Sequence, residues 1–431
     1  PSCWTINYGA TSATITFNAG TLLYADNDHD GYGNSSVSAP ACDAPSGYVT
    51  QGGDCNDNSN AVYPGAYELC DGLDNDCNGQ IDGGSDKTAL LALYNATNGA
   101  NWFSNFGWAD GAAGTNCNVC EWSGVTCDEN GRVVDIYMYD NNLVGSIPVA
   151  IGNLNQLQSL NLGYNQLSGS IPASIGNLSQ LSYLDMRYNQ LSGNIPASLG
   201  GLSNLTYIDL GDNQLSGAIP TELGNLTNLN ILALNHNQLS NSIPTTLGNL
   251  SNLNYLFLQA NQLSGNIPAS LGNLSNLYSM ALGGNLLTGN IPSELGNLSN
   301  LYELYLNENQ LSGNIPAALG NLTNLQIVFL NNNQLSGSIP GSIGNLPLSS
   351  IYFNNNNLSG CFDPNLSNLC GISYDFSNNP NLHLNGDFLA FCEDGAGGCG
   401  IDADGDGFSF PDDCNDREWR QHPGVRGERS Q

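Results

Sequence analysis

The sequence predicts an α/β solenoid in which each repeat adds one strand to a parallel β-sheet. One phrase recurs every 24 residues, and each copy contains an alternating Leu-x-Leu followed by a fixed asparagine. That asparagine occurs at Asn141, Asn165, Asn189, Asn213, Asn237, Asn261, Asn285, Asn309 and Asn333, and then, one residue early each time, at Asn356 and Asn379. Acidic, cysteine-containing segments at both ends predict small stabilised loop modules outside the repeats.

Each part of the repeated phrase has a physical role. In Leu160-Asn161-Leu162 the leucines point the same way because strand side chains alternate, so we expect them in the core and Asn161 outside. The fixed asparagine carries donors and an acceptor, and can satisfy turn groups that no water reaches. The Ile171-Pro172 pair and its equivalents end a local ladder because proline has no N–H. The segment that follows is long enough only for a short helical turn.

The complete phrase NLSNLxxLxLxxNQLSGxIPxxLG resembles the leucine-rich repeats, and in particular the 24-residue plant-specific subtype, which is not confined to plants. About eleven copies fill residues 136–382. The resemblance implies a right-handed superhelix with a parallel sheet on its concave side. It also implies ligand binding through the outward residues of that sheet.

Cysteine placement and charge indicate the compartment and the class of partner. The 13 cysteines avoid residues 141–359, as expected for disulfides that close the domain ends in an oxidising compartment, so we predict a secreted or cell-surface protein. With seven basic residues and a net charge of −31, nucleic acid is excluded as an expected partner. No apolar run approaches the roughly 18 residues of a membrane span. The chain starts with Pro1 and lacks a secretory signal, so we expect a processed or excised piece.

Residues 26–85 hold three acidic motifs. The first has aspartates at positions 1, 3 and 5 and Gly31 at position 6, the start of an EF-hand-type loop, and the third repeats this spacing. Such loops bind calcium through oxygen ligands, whereas an Asx-turn-rich loop without an ion is the alternative. The predicted ligands in this module are Asp26, Asp28, Asp30, Asp54, Asn56, Asn58, Asp74, Asp76, Asn78 and Asp82. Ser85 stands where the third loop would need its closing glutamate, so either another segment closes the shell or the site is weak.

Residues 24–84 resemble the metal-binding repeats that are named after a methanotroph outer-membrane copper protein and found in secreted bacterial proteins. The resemblance implies a metal site and a bacterial source. We expect calcium rather than copper, because copper prefers imidazole or sulfur. The module offers one histidine, His29, at a position that does not normally bind the ion, and its cysteines are better interpreted as disulfides.

The remaining segments are interpreted as ends of the solenoid. Residues 1–25 are predicted to be a strand-rich tail of a preceding segment, residues 86–135 an N-terminal cap that begins with a short amphipathic helix, and residues 383–400 a C-terminal cap or linker. The tryptophans Trp102, Trp108 and Trp122 are expected to cover the open end of the stack rather than to bind sugar.

Two disulfides and a second acidic module are also predicted. The segment Cys120–Val134 resembles the cysteine-capped entry of plant-type repeats, which implies a Cys120–Cys127 disulfide. We also expect Cys361 to pair with Cys370. Residues 401–431 begin a truncated second acidic module, whose predicted metal ligands are Asp402, Asp404 and Asp406.

The outward residues of the Leu-x-Leu strands are the candidates for ligand binding. Neighbouring strands lie about 4.8 Å apart, so these residues form ladders of aromatic side chains flanked by amides and acids. Such ladders suit a carbohydrate or an extended peptide, and cross-strand packing alone is the alternative. The predicted binding residues are Tyr137, Tyr183, Asp185, Tyr207, Asp209, Tyr255, Phe257, Tyr305, Phe329 and Tyr352.

Asp185 and Asp209 occupy equivalent positions on adjacent predicted strands, where their spacing could approach the roughly 5–5.5 Å of retaining glycosidases. An open sheet excludes no water and offers no pocket to raise one pKa, so an ion-paired or cation-binding spot near Arg187 is the simpler interpretation. We therefore predict no enzymatic activity.

The sequence thus predicts an extracellular recognition or adhesion module that binds a glycan or protein on its concave face, with calcium-binding spacers. The alternative is a structural subunit of a self-assembling cell-surface layer or filament, in which copies of the chain pack through their regular polar surfaces. Ice binding is a third interpretation, although the chain lacks a flat Thr-x-Thr ladder.

Overall fold

The structure, a computed structural model, describes residues 4–8, 13–17, 20–41, 44–66, 68–79 and 81–393. The chain divides into two compact units, Pro1–Leu167 and Ser168–Gln431. The second acidic module and its Asp402, Asp404 and Asp406 lie outside the described residues, as does Cys42. In the described part of the chain, no helix has the length and apolar character needed to cross a bilayer.

The first unit starts with two small sheets. The strand expected near residues 14–17 is present and pairs with an earlier one: Trp4–Tyr8 runs antiparallel to Ala13–Phe17. A four-stranded sheet follows, with the spatial order Tyr48–Val49, Thr21–Ala25, Gly33–Ala41 and Gly52–Asp54. The first and second acidic motifs leave from the ends of these strands.

The N-terminal cap packs its aromatic residues inward. Trp108 is fully buried, with its ring centroid 4.9 Å from that of Trp102 and 5.0 Å from that of Trp122. Both neighbours are also buried, as a covering role requires. Buried Asp86 bonds Arg132 at 3.0 Å and accepts the Val133 N–H at 3.0 Å, which fixes the helix start against the first repeat strand. The cap helices are Ile81–Gly83, Gly84–Ala96, Gly99–Asn101, Trp108–Ala112 and Val119–Glu121, and the expected Cys120–Cys127 disulfide is present.

The first unit ends with the start of the repeats. Val125–Cys127 pairs antiparallel with Val133–Tyr137, which pairs parallel with Ser159–Asn161. The other elements are the strands Val144–Ser146 and Gln166–Ser170 and the 3₁₀ helix Val149–Asn153. Leu160 and Leu162 are fully buried, as expected. Asn161 is buried too, contrary to the expectation, because its side-chain oxygen turns back to accept the Gly163 N–H at 3.1 Å.

In the second unit every Leu-x-Leu strand pairs parallel with the next at a 24-residue offset until the last two repeats, where the offset shortens to 23. These strands, called the concave sheet below after the implied geometry of the family, are Tyr183–Asp185, Tyr207–Asp209, Ile231–Ala233, Tyr255–Phe257, Ser279–Ala281, Glu303–Tyr305, Ile327–Phe329, Ser350–Tyr352 and Ser373–Asp375.

A second parallel sheet, which was not predicted, is formed by the Gln-Leu-Ser-Gly segments. The leucine at the second position of each strand is buried, and the residue before it, usually glutamine but Leu286 in one repeat, is exposed, so the segment alternates like a strand although it is rich in glycine and serine. Its strands in the second unit are Gln190–Asn194, Gln214–Gly217, Gln238–Asn241, Gln262–Asn266, Leu286–Gly289, Gln310–Asn314, Gln334–Gly337, Asn357–Gly360 and Asn381–Leu382.

Each Ile-Pro pair ends a strand of this second sheet and starts a short 3₁₀ turn, as predicted. The turns are Ala173–Asn177, Ala197–Gly201, Thr221–Asn225, Thr245–Asn249, Ala269–Asn273, Ser293–Asn297, Ala317–Asn321, Gly341–Asn345, Pro364–Leu369 and His383–Gly386. The α-helix Phe388–Glu393 follows the last of them. The core between the two sheets and the turns consists almost entirely of buried leucine and isoleucine.

The fixed asparagines satisfy buried backbone groups of two successive repeats. The Nδ2 of Asn261 donates to the carbonyl oxygens of Leu234 and Leu258 at 2.9 and 3.1 Å. Its Oδ1 accepts the N–H of Leu239 at 2.9 Å. The same pattern recurs at Asn213, Asn237, Asn285, Asn309, Asn333, Asn356 and Asn379. The predicted scaffold role is therefore confirmed.

The expected Cys361–Cys370 disulfide is wrong. Cys370 is bonded to Cys392, and Cys361 is itself disulfide-bonded. The 3₁₀ helix Pro364–Leu369 separates the two predicted partners. Six residues of such a helix span about 12 Å, which is more than the roughly 7 Å over which two Cα atoms can be bridged.

Candidate functional site

The first and second acidic motifs fold against each other. Gly33 pairs with Gly52 and Asn34 with Asp54, which places the loop that precedes Gly33 beside Asp54. Carboxylate oxygens of Asp26, Asp28 and Asp57 lie within 4.8 Å of one another, and so do those of Asp28, Asp30 and Asp54. The two groups share Asp28. We call these five aspartates the first acidic cluster.

Asp57 was not among the predicted ligands. It is locked to the first loop by Asn27, whose backbone N–H and side-chain amide donate to its two oxygens at 2.8 and 2.7 Å. The spacing rule placed Asn56 and Asn58 at ligand positions instead. The Asn56 N–H donates to the Asp54 carboxylate at 2.7 Å, and the Asn58 N–H donates to the Asn56 carbonyl oxygen at 2.6 Å. This motif is therefore a turn that supplies Asp54 and Asp57 to the cluster.

The third motif forms a second acidic cluster with a residue that sequence spacing missed. Carboxylate oxygens of Glu68, Asp74 and Asp76 lie within 4.8 Å of one another. Glu68 lies before the loop, and accepts the Asp76 N–H at 2.9 Å. Asn78 lies beside this cluster, where its amide donates to Asp76 at 2.8 Å. Glu68 thus adds a third carboxylate to a loop in which Ser85 offers none.

Asp82, which was predicted as a ligand, has another role in the structure. Its carboxylate accepts the N–H groups of Asp71 and Gly72 at 3.1 and 3.0 Å. It does not belong to the second acidic cluster among the described residues. Its backbone adopts a left-handed conformation (φ 53°), which turns the side chain back over the loop.

Both clusters contain carboxylate oxygens that are buried without a hydrogen-bond donor. These are Oδ2 of Asp28, Asp30 and Asp54, and Oε2 of Glu68. Asp54 and Glu68 are only 6% and 7% exposed. Burial, and to a smaller extent neighbouring carboxylates, raises the pKa of Asp30, Asp54, Glu68 and Asp76. Unsatisfied buried carboxylates are costly, and an all-oxygen donor set of this kind fits a hard divalent cation.

Cysteines of this region are used in disulfides, as predicted. Cys55 pairs with Cys77 and so ties the second motif to the third. Cys70 pairs with Cys117 of the cap. His29 is not a member of either cluster, and its Nδ1 lies 3.1 Å from the carbonyl oxygen of Asn27. The donors that converge are therefore oxygen atoms.

On the concave sheet, two tyrosines, two aspartates and one arginine form a connected cluster. The rings of Tyr183 and Tyr207 stack at 4.4 Å, and their hydroxyls donate to Asp185 and Asp209 at 3.3 and 3.2 Å. The Arg187 guanidinium lies 3.4 Å from Asp185 and 3.5 Å from Asp209. Burial raises the pKa of both aspartates, while backbone N–H groups and Arg187 lower it.

This arrangement corrects the expectation of an open, wet pair of carboxylates. Asp185 is fully buried and Asp209 is 8% exposed, because the tyrosine rings and Arg187 cover them. The ion-paired interpretation is confirmed. The arginine and the two rings hold both carboxylates in place, so Asp185 and Asp209 link two strands of the sheet, and their predicted part in ligand binding stays a prediction.

The concave sheet contains a depression that sequence analysis did not identify. Strand Ser279–Ala281 and the glycines after it present small outward residues between two strands with large ones. The result is a cavity of about 430 Å³. It is lined by Phe257, Gln259, Ala260, Ser279, Ala281, Gly283, Gly284, Glu303, Tyr305, Asn307, Glu308 and Phe329. The alternation of small residues at 279, 281 and 283 was the sequence signal for it.

The other predicted aromatic residues continue beside the depression. Phe329 contacts Tyr305 and Tyr352 edge-on, at centroid distances of 5.1 and 4.7 Å. The ring centroid of Tyr255 lies 5.9 Å from that of Phe257. All five are partly exposed. Tyr137, in the first unit, is 55% exposed and lies 6.2 Å from Tyr139.

A second surface lies on the flank of the concave sheet. Tyr278 and Tyr302 stack at 4.9 Å, and the Tyr302 hydroxyl donates to Gln326 at 2.7 Å. Exposed asparagines bond the preceding repeat at 2.8–2.9 Å: Asn204, Asn228, Asn252, Asn276, Asn300 and Asn324. These side chains bond the chain itself and so stabilise the flank, which also contains a cavity of about 480 Å³ lined by Tyr278, Tyr302 and several of the asparagines.

Models of two families match the chain. Residues 54–83 and 413–426 match the family described as "Putative metal-binding motif". Residues 137–244 match the leucine-rich repeat region, and 252–274, 300–322 and 324–346 match the single leucine-rich repeat. Both resemblances drawn from the sequence are confirmed.

Similar proteins are plant receptors and a plant ice-binding protein. A probable leucine-rich repeat receptor-like protein kinase of Arabidopsis thaliana is 39% identical over 84 residues, which is 19% of this chain and 8% of the relative. The ectodomain of the Arabidopsis thaliana receptor kinase GASSHO1/SCHENGEN3, solved with CASPARIAN STRIP INTEGRITY FACTOR 2, is 36% identical with a TM-score of 0.61. The match covers 69% of this chain and 38% of that one.

A solved plant ice-binding protein is 31% identical with a TM-score of 0.57. The match covers 69% of this chain and 93% of that one. The chain spans less than a tenth of the curated relative and under half of the receptor ectodomain. The repeats, the fold and these matches agree: the chain belongs to the leucine-rich repeat proteins and also carries the metal-binding motif.

Proposed function

We propose that this chain is an extracellular, non-catalytic recognition or adhesion module that binds a glycan or a protein segment on its concave sheet. The observation that carries the proposal is the row of partly exposed aromatic residues, Tyr255, Phe257, Tyr305, Phe329 and Tyr352, around the depression. Aromatic faces beside amides and acids bind sugars and peptides without covalent chemistry. The similarity to the receptor ectodomain solved with CASPARIAN STRIP INTEGRITY FACTOR 2 supports this use of the repeats.

The test is an array of glycans and extended peptides probed with the purified protein and two matched variants. Tyr305→Ser removes an aromatic ring from the depression, and Tyr278→Ser removes one from the flank. We expect Tyr305→Ser to abolish binding to the ligand found and Tyr278→Ser to leave it. Equal binding by the wild type and Tyr305→Ser would contradict the proposal.

We further propose that the two acidic clusters bind calcium and stiffen the module beside the repeats. The first cluster would use Asp26, Asp28, Asp30, Asp54 and Asp57, and the second Glu68, Asp74 and Asp76. Support comes from the four carboxylate oxygens that are buried without a donor. Calorimetric titration should detect calcium uptake that Glu68→Gln weakens, whereas the exposed control Glu129→Gln should not. Uptake of copper in preference to calcium would contradict the assignment.

Ice binding is a second candidate, favoured by the match to 93% of a plant ice-binding protein. The second parallel sheet repeats exposed Gln and Asn side chains at strand spacing, which gives a regular polar surface. Growth of ice crystals in the presence of the protein distinguishes this candidate. Thermal hysteresis that survives Tyr305→Ser would place it ahead of ligand recognition.

A further inference from the structure

We propose that the depression over strand Ser279–Ala281 binds the positively charged side chain of a lysine or arginine in an extended peptide. The inference rests on the proposed function, because it names the ligand class for the same concave sheet. The proposed binding residues belong to three neighbouring repeats, in which a strand with small outward side chains lies between two strands with large ones.

The shape of the depression follows from strand register. Ala281 is paired with Phe257 on one side and with Tyr305 on the other. Two strand spacings put the backbones of the two aromatic residues about 10 Å apart, with only a methyl group between them. Two residues further along, Gly283 has no side chain, and the Asn307 side-chain oxygen occupies the space beside it, 2.7 Å from where a Cβ would stand. The gap over Ala281 is therefore a slot with aromatic walls and an alanine floor that adjoins Gly283 and Asn307.

The aromatic and acidic residues that line the slot favour a positively charged ligand. Phe257, Tyr305 and Phe329 present aromatic rings, whose faces attract positive charge. Two carboxylates, Glu303 and Glu308, line the same slot. Glu303 is held in place by the hydroxyl of buried Ser279, which donates to it at 2.8 Å. Its charge, after burial, raises the pKa of Tyr305, which shows that the carboxylate and the ring are close.

An unused acceptor points to a ligand that donates hydrogen bonds. The side-chain oxygen of Gln259 is buried and has no hydrogen-bond partner, and Gln259 lines the slot. An ammonium or guanidinium group brings several N–H donors together with its charge. Such a group can therefore satisfy Gln259 and pair with Glu303 while its stem lies along the rings.

The negative charge of the slot and of the whole chain disfavours anionic and neutral ligands. None of the lining residues is basic, and the described residues hold three basic side chains: Lys87, Arg132 and Arg187. Both arginines are engaged with aspartates. An anionic ligand would meet two carboxylates and a chain of net charge −31 without a counter-charge. A neutral sugar would leave the carboxylates uncompensated, so it gains less from the slot than a cation does.

The test uses short capped peptides of known charge. Acetyl-Gly-Arg-Gly-amide and acetyl-Gly-Lys-Gly-amide are titrated into the full chain, each beside a neutral analogue in which citrulline or acetyl-lysine replaces the charged residue. We expect the charged peptides to bind at least about tenfold more tightly than their neutral analogues, as for other hydrogen bonds to charged groups. Glu303→Gln, which changes charge but hardly changes shape, should weaken the charged peptides by about tenfold.

Two further variants separate the slot from general attraction. Glu222→Gln removes one exposed carboxylate from a 3₁₀ turn far along the chain from the slot, and should leave affinity within about twofold. Ala281→Phe fills the slot and should abolish binding. Circular dichroism shows whether that variant folds, and Glu303→Gln gives the decisive result if it does not.

The possible results distinguish failure of the cation slot from failure of the proposed function. Equal binding of arginine and citrulline peptides, or equal weakening by Glu303→Gln and Glu222→Gln, overturns the cation slot. If the charged peptides fail while an array ligand still binds and is lost in Tyr305→Ser, the cation class is wrong and concave recognition stands. If neither the peptides nor the arrays give binding, the proposed function fails together with this inference.

Discussion

The acidic module, residues 26–85, and the repeats of the second unit bury polar groups in different ways. Within the described part of the module, Val62 is the one buried hydrophobic residue, and the buried polar side chains are four carboxylates and the amide of Asn75. In the repeats, leucine and isoleucine fill the core, and each fixed asparagine satisfies backbone groups of two successive repeats. The repeats are stabilised by apolar packing and paired amides, whereas the described part of the module gathers carboxylates without basic partners, which is why we propose a cation there.

This difference predicts that the proposed calcium ions stabilise the module and not the repeats. Packing apolar side chains and pairing every buried amide makes a repeat stable with its neighbours alone. Gathering carboxylates stabilises a loop only when an ion offsets their repulsion. The following predictions test that division, from the largest expected effect to the smallest.

Calcium removal is expected to have the largest effect, and to be confined to the module. A ligand present at about a thousand times its dissociation constant contributes about 4 kcal/mol to the folded state, and chelation removes that contribution. Hydrogen exchange followed by mass spectrometry should show loss of protection in residues 26–79 and unchanged protection in residues 183–360. Equal loss in both regions, or no loss in either, would contradict the comparison.

Replacing one fixed asparagine should unfold part of the repeats. Asn261→Ala leaves the Leu239 N–H and two carbonyl oxygens without partners, and each buried unsatisfied group costs about 1–3 kcal/mol, so we expect a total loss of roughly 3 kcal/mol. Asn252→Ala is the matched control, because this exposed residue makes a single bond to the Thr227 carbonyl. Urea denaturation should separate the two variants clearly, and similar midpoints would show that the buried ladder is not what stabilises the repeats.

The pH dependence of the calcium-free module should be inverted relative to the calcium-bound one. Burial raises the pKa of Asp54 and Glu68, so the folded state holds their protons more tightly than the unfolded chain does. Their stabilising contribution is therefore fully present below the pKa of the unfolded chain and is lost as the pH rises through the raised pKa of the folded state. Without calcium, melting temperatures should rise as the pH is lowered from neutral toward the usual carboxyl pKa of about 4, whereas calcium binding requires ionised carboxylates and so stabilises most near neutral pH.

Two variants test the assignment of this pH effect. Asp54→Asn and Glu68→Gln remove the titrating groups, and each should flatten the profile measured without calcium. A profile that is unchanged in both variants would assign the pH effect to other carboxylates, such as the buried pair Asp185 and Asp209, whose pKa is raised as well.

The smallest expected change in stability comes from substitutions at left-handed backbone positions in the repeats. Ala260 adopts φ 55°, a left-handed conformation that glycine adopts without strain, and the next repeat has Gly284 at φ 64° in the same position. Ala260→Gly should stabilise the chain by about 0.5–1 kcal/mol, and Gly284→Ala should destabilise it by a similar amount. A Cβ on Gly284 would meet neighbours only at 3.5 Å and beyond, so strain rather than a clash accounts for the change. Thermal melts of the reciprocal pair give the sign.

The features that could be predicted from the sequence are those in which a residue type recurs at a fixed spacing and has a single structural role. The 24-residue period predicted the Leu-x-Leu strands, the asparagine ladder and the 3₁₀ turns, because these depend on local alternation and on the missing N–H of proline, but it did not predict the second parallel sheet. Sequence-based prediction failed where distant segments meet. Asp57 and Glu68 carry no spacing signal, and Asp82, which does, bonds backbone N–H groups instead. The Cys361–Cys370 pairing failed because the intervening turn separates its two ends.

The sequence by itself determined the family, the repeated core and the acidic character of the module, since a period repeated about eleven times and a charge of −31 need no coordinates. Tertiary structure alone decided which carboxylates converge, which of them are covered, and where the concave sheet has a depression. The physical reason is that side-chain periodicity specifies which face of a strand a residue occupies. It does not specify how large the neighbouring residues are on that face, or which distant loop lies against it.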